Sequence, residues 1–530
     1  MSPKKGKGKR VNKAEKSLSN GSLSPNTIDE IISDKGEQKS EEVSTIPDIT
    51  TTVNNKKSKN ESKGSEVSST SISKTNIKDE KNIVTLCLTM IVKNESRIIN
   101  RCLDSVKDVI DFVCITDTGS TDNTVELIEQ WGKTNNIPCK VCDSQFTRFD
   151  FATARSLSFT NSKECFPQAT YALLLDGDMV LEVFPNFEKK VLTESAYNLT
   201  QYSASSDYRN VRLLRLDHDW LCIGLTHEYW KCKTSNSKKG NLNTLRIDDR
   251  EDGGAKADKF VRDRTLLLDG LKKPEEDEGL HTRYMFYLAQ TYKCLRMYEE
   301  AIYWYSIHNT RVVWEEQKWY AAMEIGNCYK ELANKAENEH NQKHSKLVEE
   351  IKTSKNRIDN LAVLIKEESD DSKKTSITHQ LNQEKQKFIG LELSANSMVK
   401  TENAEGRMIA GGGYYEKAAG CYLTAYGRRP HRAEPLYHLS KMYRELGFHR
   451  LSYQMAAMGK MIKYPSNDGL FISRLVYEWY FDYEISIVAF YLPDRKELGK
   501  LSIKKLLSMK DKIPQHTYEL VLKNSKFYGL

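Results

Sequence analysis

The chain has 530 residues, with 80 Lys and Arg against 73 Asp and Glu and a formal net charge of +7. That length suits several domains, and so small a charge excess, mixed along the chain, argues against a nucleic-acid partner. No apolar run is long enough for a transmembrane segment and none follows Met1–Lys5 as a secretory signal would. Eleven scattered cysteines then read as free thiols, so the expected location is cytoplasmic.

Residues 1–81 contain no Phe, Trp, Tyr or Cys. Such a segment cannot bury enough apolar area to offset its ordering entropy, so a disordered tail is expected. The basic cluster Lys4–Arg10 reads as part of that solvated tail. Ile83–Val92 is a strand by its β-branched content. Ile98, Ile99, Cys102, Leu103 and Val106 then recur at helical spacing. A second strand covers Phe112–Thr116. The helix after it has Thr121 or Asp122 as N-cap and Val125, Leu127, Ile128 and Trp131 as its apolar face. A third strand lies around Cys139–Cys142. The lone CxxC there lacks a second pair, so its cysteines read as structural thiols.

Next, the apolar run Tyr171–Leu175 closes on Asp176-Gly177-Asp178. By itself this is either an Asp-Gly turn or a pair of hard oxygen donors for Mg²⁺ or Mn²⁺ at the carboxyl end of a strand. The β-α-β-α-β order implies an α/β domain with a mainly parallel sheet.

Four motifs follow one another in order: Thr89–Glu95, Asp117–Asp122, a turn at Phe149–Arg155 and Asp176–Asp178. Together they resemble the family 2 glycosyltransferases with a GT-A fold. Ser156 stands where that family usually has Asn. The resemblance implies a nucleotide-sugar donor, UDP-linked, and inversion at the sugar. It implies that Asp117 contacts the uracil or ribose, that Arg155 orients the donor, and that Glu95 belongs to the donor site. Asp176 and Asp178 would be the DxD pair, holding the ribose and a Mn²⁺ or Mg²⁺ that bridges the diphosphate. In Gly224–Trp230, His227 would be a third metal ligand. Glu228 would be the general base for the acceptor hydroxyl, with Asp207, Asp217 and Asp219 as competitors. Asp178 and Glu228 are thus the expected catalytic residues.

Asp248–Gly254 is rich in turn residues and is followed by Lys256, Lys259, Arg262 and Arg264. It is either an interdomain linker or a lid in which Lys259 clamps the diphosphate. The catalytic module with this segment is expected to span 82–274.

Residues 275–530 show internal self-similarity. Leu288, Ala289, Tyr292, Ala301 and Tyr305 have the spacing of a tetratricopeptide (TPR) unit. A second unit opens at Ile325-Gly326 and Tyr329 and resumes at Tyr415–Ala418. A third contains Leu436, Leu439, Ser440 and Tyr443. The resemblance to tetratricopeptide repeats implies an all-α array with a concave surface for a protein partner. Residues 331–413 split the second unit. Leu347, Ile351, Ile358, Leu361 and Ile365, then Leu381, Phe388, Leu391 and Ala395, suit an antiparallel hairpin with a coiled-coil seam. Gly411-Gly412-Gly413 would be its return. The aromatics of Tyr477–Glu484 read as core.

These readings favour a metal-dependent glycosyltransferase whose acceptor is a protein, a peptide or a glycan. The alternative is a TPR and coiled-coil scaffold with a degenerate catalytic domain. A nucleotidyltransferase ranks last, because Lys93-Asn94-Glu95 replaces the Gly-rich loop it would need.

Overall fold

The computed structural model describes residues 83–144, 146, 150–203, 206–253, 259–273 and 277–530. The N-terminal tail, Phe149, Gly254 and Lys256, named above, lie outside them. Ile83–Leu530 form one compact unit.

Strands β1 (Leu86–Val92), β2 (Phe112–Asp117), β3 (Cys139–Asp143) and β4 (Tyr171–Leu174) run parallel. With β5 (Met179–Val183), β6 (Ala196–Tyr202), β7 (Asp207–Arg215) and β10 (Lys239–Asp249), they form an eight-stranded sheet in the order β3-β2-β1-β4-β7-β6-β10-β5, while β8 (Trp220–Ile223) and β9 (Tyr229–Cys232) pair in a separate two-stranded sheet. The parallel strands are short and apolar because helices cover both faces. Leu86, Leu88, Met90 and Val92 pack against α1 (Ile99–Val106) and α2 (Thr124–Asn135) on one face. Cys87 and Cys114 face α3 (Phe151–Cys165) on the other. Cys139 and Cys142 fall on opposite faces. Cys142 instead meets Cys114 and Cys165, in an apolar layer where burial pushes the Cys142 and Cys114 thiols up.

Three local expectations change. The residue at the N-cap position of α2 is Asn123, which makes no cap bond. Asp122 does that work, accepting from the Thr124 amide at 3.1 Å. Phe151–Arg155 form the first turn and a half of a helix rather than a turn, because Asp150 caps the Thr153 amide at 3.1 Å. Most of 241–271 is also not loop: Lys239–Asp249 is strand β10 and Lys259–Leu271 is helix α4. β10 is held on one side by β6 (Ala196–Tyr202) and on the other by β5 (Met179–Val183).

The helical half begins with the pair α5 (Glu278–Cys294) and α6 (Tyr298–Thr310). Next, α7 (Glu315–Glu367) runs unbroken from the second repeat unit into the inserted hairpin, and α8 (Asp371–Ser397) returns. The chain reverses at Glu368–Asp370, where Asp370 caps the amides of Ser372 and Lys373. Leu381 and Ala395 are buried in the pair, and the other apolar positions picked out above are half-buried. After α9 (Ala404–Ala410), Gly412 and Gly413 turn the chain at φ +64° and +76° into α10 (Tyr414–Arg428). Gly326 of α7 lies flat under the Tyr422 ring of α10, where a Cβ would come within 2.7 Å. That close approach closes the split unit. The third pair is α11 (Glu434–Leu446) and α12 (His449–Lys460). The aromatics of 477–484 pack into the cores beyond it.

One segment ties this array to the sheet. Gly469–Ile472 lies along β7 (Asp207–Arg215): Asp207 and Ile472 exchange backbone hydrogen bonds of 2.9 and 2.7 Å, and the Arg209 amide donates to the Gly469 carbonyl at 2.9 Å. Arg432, fully buried, fixes the segment from behind. Its guanidinium donates to Glu434 (2.9 Å), to Asp468 (3.3 Å) and to the carbonyls of Leu470 (3.2 Å) and Phe471 (3.1 Å), and it lies 3.8 Å over the Trp319 ring. Glu316 accepts from the amides of Gly469 and Leu470. Removing the cation leaves Glu434 buried without a counter-ion and Asp468 with Arg429 and His431 alone. Arg432→Ala is therefore expected to cost about 3–5 kcal/mol, read by urea unfolding. Arg432→Lys recovers only part of it, because an ammonium cannot serve this many planar partners at once.

Candidate active site

The strand order 3-2-1-4 changes direction between β1 and β4, which are parallel. Such a switch point leaves a crevice beyond the carboxyl ends of the strands, where α/β sheets bind ligands. Glu95 follows β1, Asp117 ends β2, and Asp176 and Asp178 follow β4. The fold thus brings four of the sequence-predicted residues to one edge. β4 stops at Leu174, and the Met179 amide donates to the Asp176 carbonyl at 3.0 Å, so Asp176–Met179 is a turn. Gly177 belongs there because a Cβ would press on Glu95 Cγ at 3.3 Å.

The two aspartates live in opposite fields. Asp176 receives Arg155 at 2.7 Å and Arg212 at 3.5 Å. Burial would raise its carboxyl, but the two guanidinium groups outweigh that and hold it at about 2. Arg212 of β7 is in turn fixed by two bonds to Gln201 Oε1 (3.2 and 2.7 Å), and Gln201 Nε2 donates to Asp249 at 2.7 Å. Asp178 has the reverse surroundings: burial, then Asp176, then Asp249, push its carboxyl up. A Cβ at Gly253 would lie 3.1 Å from Asp178 Oδ2 and 3.5 Å from Glu95 Oε1, so these oxygens border one small space. The segment 250–253 is fastened over it. Arg101 binds the Asp252 carboxylate at 2.8 and 2.7 Å, and Arg97 donates to the Asp252 carbonyl.

Asp117 spends its carboxylate on the loop after β2, accepting from the Gly119 and Ser120 amides (3.0 and 2.9 Å) and the Ser120 hydroxyl. Glu228 lies 3.9 Å from Arg155, and burial pushes its carboxyl up against that cation's pull. His227 adopts φ +53° and stacks on Tyr287 of α5, centroids 3.9 Å apart and planes 3° apart. Burial, then Lys259 and Arg283, press its imidazole down to about 3. Lys259, the exposed first residue of α4, thus lies near His227.

The expected ligand trio Asp176, Asp178 and His227 is not gathered. Among the described residues the group of three or more ligand-type side chains with donor atoms within 4.8 Å is Cys114, Cys142 and Cys165. The rival bases are committed elsewhere: Asp207 accepts from Tyr464 and pairs with Arg474, Asp217 pairs with Arg215 and His218, and Asp219 with Lys163. Sequence reading missed Gln201, Arg212 and Asp249. The one available signal was a charged residue inside the apolar run Val211–Leu214.

Beside Arg155 and Glu228 opens a cavity of about 540 Å³. Its walls come from β7, from α5, from the start of α7 and from Gly469–Phe471.

The fold is a curled, mostly parallel α/β sheet followed by a helical array, with an acidic edge beyond the carboxyl ends of its parallel strands. Residues 87–193 match the family model described as Glycosyl transferase family 2. A TPR repeat-containing protein of Synechococcus elongatus is 30% identical over 110 residues, which are 20% of this chain and 24% of that protein. The chain thus spans about a quarter of the curated relative it matches. Two solved structures of S. aureus TarS 1-349 are also similar. One, without further description, has a TM-score of 0.24 at 12% identity, covering 46% of this chain and 81% of that one. The other, in complex with UDP, has a TM-score of 0.20 at 12% identity, covering 46% and 80%.

The opposed fields give a test of the pair. Asp176→Ala leaves two arginines without their anion and is expected to lower stability by about 2–3 kcal/mol, discounted for partial exposure. Asp178→Ala relieves carboxylate repulsion and is expected to leave the unfolding midpoint unchanged or slightly higher. Thermal unfolding of both variants in metal-free buffer at neutral pH reads the difference.

Proposed function

We propose that the protein is a glycosyltransferase that moves a sugar from a nucleotide-sugar donor, UDP-linked, to an acceptor hydroxyl, with inversion. The observation that carries this reading is the placing of Glu95, Asp117, Asp176 and Asp178 along the carboxyl edge at the switch point between β1 and β4. The family match over the same residues supports it.

The residues at that edge suit a divalent cation. Asp178 is half-buried beside carboxylates whose repulsion a cation would relieve, and its oxygen donors are hard. Asp178, with Asp176 beside it, would hold Mn²⁺ or Mg²⁺. When bound, such an ion neutralises charge on a departing diphosphate. His227, stacked on Tyr287 with two cations nearby, has surroundings that suit a dication poorly. Its strained backbone instead sets the position of Glu228, the next residue.

Arg155 and Arg212 hold Asp176 ionised and aimed, ready to accept hydrogen bonds from a ribose. Asp117 shapes the loop that would border the base. Glu228 lines the cavity and would take the acceptor proton. Burial raises its carboxyl against the pull of Arg155, which makes it a stronger base than a solvated carboxylate. Lys259, near His227 at the start of α4, would reach toward the diphosphate.

Two measurements test this. Mn²⁺ with UDP is expected to raise the thermal midpoint of the wild type and not of Asp178→Ala. A panel of nucleotide sugars should yield slow donor hydrolysis, with Glu228→Gln lowering kcat for transfer by about 10²–10⁴ while nucleotide binding is retained. No nucleotide binding across the panel would favour the scaffold instead.

A further inference from the structure

The proposed function leaves the acceptor open, and the cavity beside Glu228 bears on it. We propose that this cavity is an acceptor subsite for a sugar ring, so that the enzyme extends a glycan. The inference rests on the glycosyltransferase reading for its purpose, but the site itself is argued from its walls.

The first wall is aromatic. Trp314 lines the cavity and is 51% exposed, although it is the largest type of apolar side chain. It sits at the N-cap of α7, where its carbonyl accepts from the amides of Gln317 and Lys318, so its backbone is fixed. Opposite it is Gly469, where a Cβ would be 3.8 Å from Trp314 Cη2. The glycine offers no side chain to cover the indole. Phe471, at φ +43°, is held in the same wall by Arg432 and packs edge-on to Tyr208 at 5.9 Å. An indole face carries negative charge density, and the C–H face of a pyranose is apolar and weakly positive, so the two stack.

The second observation is polar. Gln290 of α5 lines the cavity, and its Nε2 is buried without a hydrogen-bond partner among the described residues. A buried amide donor left unpaired is costly, and a ligand hydroxyl would satisfy it.

The third concerns charge. Four arginines line the cavity, and each is already bound to a protein oxygen. Arg155 is on Asp176, Arg209 on the Ser466 carbonyl, Arg212 on Gln201 and Arg283 on the His227 carbonyl. Each guanidinium keeps N–H donors beyond the bond named, and these can donate to the hydroxyl oxygens of a polyhydroxylated ring. A cavity of about 540 Å³ is in the range that encloses small ligands rather than a folded surface.

The test is saturation-transfer difference NMR on the full chain, with methyl glycosides of glucose, galactose, N-acetylglucosamine and rhamnose and with no donor present. At least one glycoside should show saturable contact through its C–H face. Trp314→Ala should weaken that binding by about tenfold or more, as for loss of a central aromatic contact. Trp314→Phe should restore most of it, and Gln290→Leu should weaken it without lowering the unfolding midpoint. In transfer assays Trp314→Ala should raise the acceptor KM. No saturable signal from any glycoside, or a signal indifferent to Trp314, overturns the proposal. Transfer to serine- and threonine-bearing peptides in place of sugars also overturns it, while the glycosyltransferase reading stands. Failure of nucleotide binding overturns that reading and leaves the sugar-binding result to be judged by itself.

Discussion

The buried guanidinium of Arg432 is the constraint on which the arrangement depends. It gathers Glu434, Asp468 and two backbone carbonyls from a loop that has no regular structure of its own. Without those partners Gly469–Ile472 would have no reason to lie straight along β7. With them, the helical array contributes a strand-like edge to the sheet and an aromatic wall to the cleft. The positive φ of Phe471 is strain that a surface loop would release; here the surrounding bonds over-determine it. A helical repeat array usually offers its concave face to a partner. In this protein part of it is spent on completing a small-molecule cavity.

The same logic of fixed charges explains the acidic edge. Asp176 and Asp178 are separated by one glycine, yet one is neutralised by protein and the other is not. Arg155 comes from α3 and Arg212 from β7, and Gln201 and Asp249 extend the chain of bonds across two more strands. This pre-orients Asp176 in a dry setting, where reorganisation would otherwise be expensive. Asp178, facing Asp176, Asp249 and Glu95, is left as the place where positive charge is wanted. The turn therefore divides two jobs between two residues of the same type.

Much of this was legible in the sequence, and the rest was not for definable reasons. Strands with strict alternation or short apolar runs, such as Leu86–Val92, announce themselves, as does a helix with the spacing of Ile99, Cys102, Leu103 and Val106. The repeat units were readable because small residues such as Gly326 and large ones such as Tyr422 must meet at fixed intervals. Gly and charged residues at Asp248–Gly254 looked like a loop; yet Lys239–Asp249 is a strand because β5 and β6 flank it, a pairing that local composition does not encode. Helix α3 begins at Phe151 because of one capping carboxylate, Asp150. The Glu316 contact with Gly469 and the cavity join residues more than 150 positions apart, and no local periodicity points to such partners. For His227 only the neighbour Glu228 could be read from the sequence; its stacking on Tyr287, from the helical half of the chain, could not.

The scaffold alternative can be weighed against these energetics. Holding Arg155, Arg212, Asp176 and Glu228 together beneath a cavity carries a desolvation cost of several kcal/mol per ion, which their mutual attraction only offsets when the geometry is kept. A strained His227 and an unpaired Gln290 donor add to it. A binding module that used only its helical face would gain nothing from this arrangement, and apolar replacements there would be neutral or stabilising. Charges retained in a buried network, at the one edge where an α/β sheet binds ligands, are what a reaction requires and what a scaffold has no physical reason to keep.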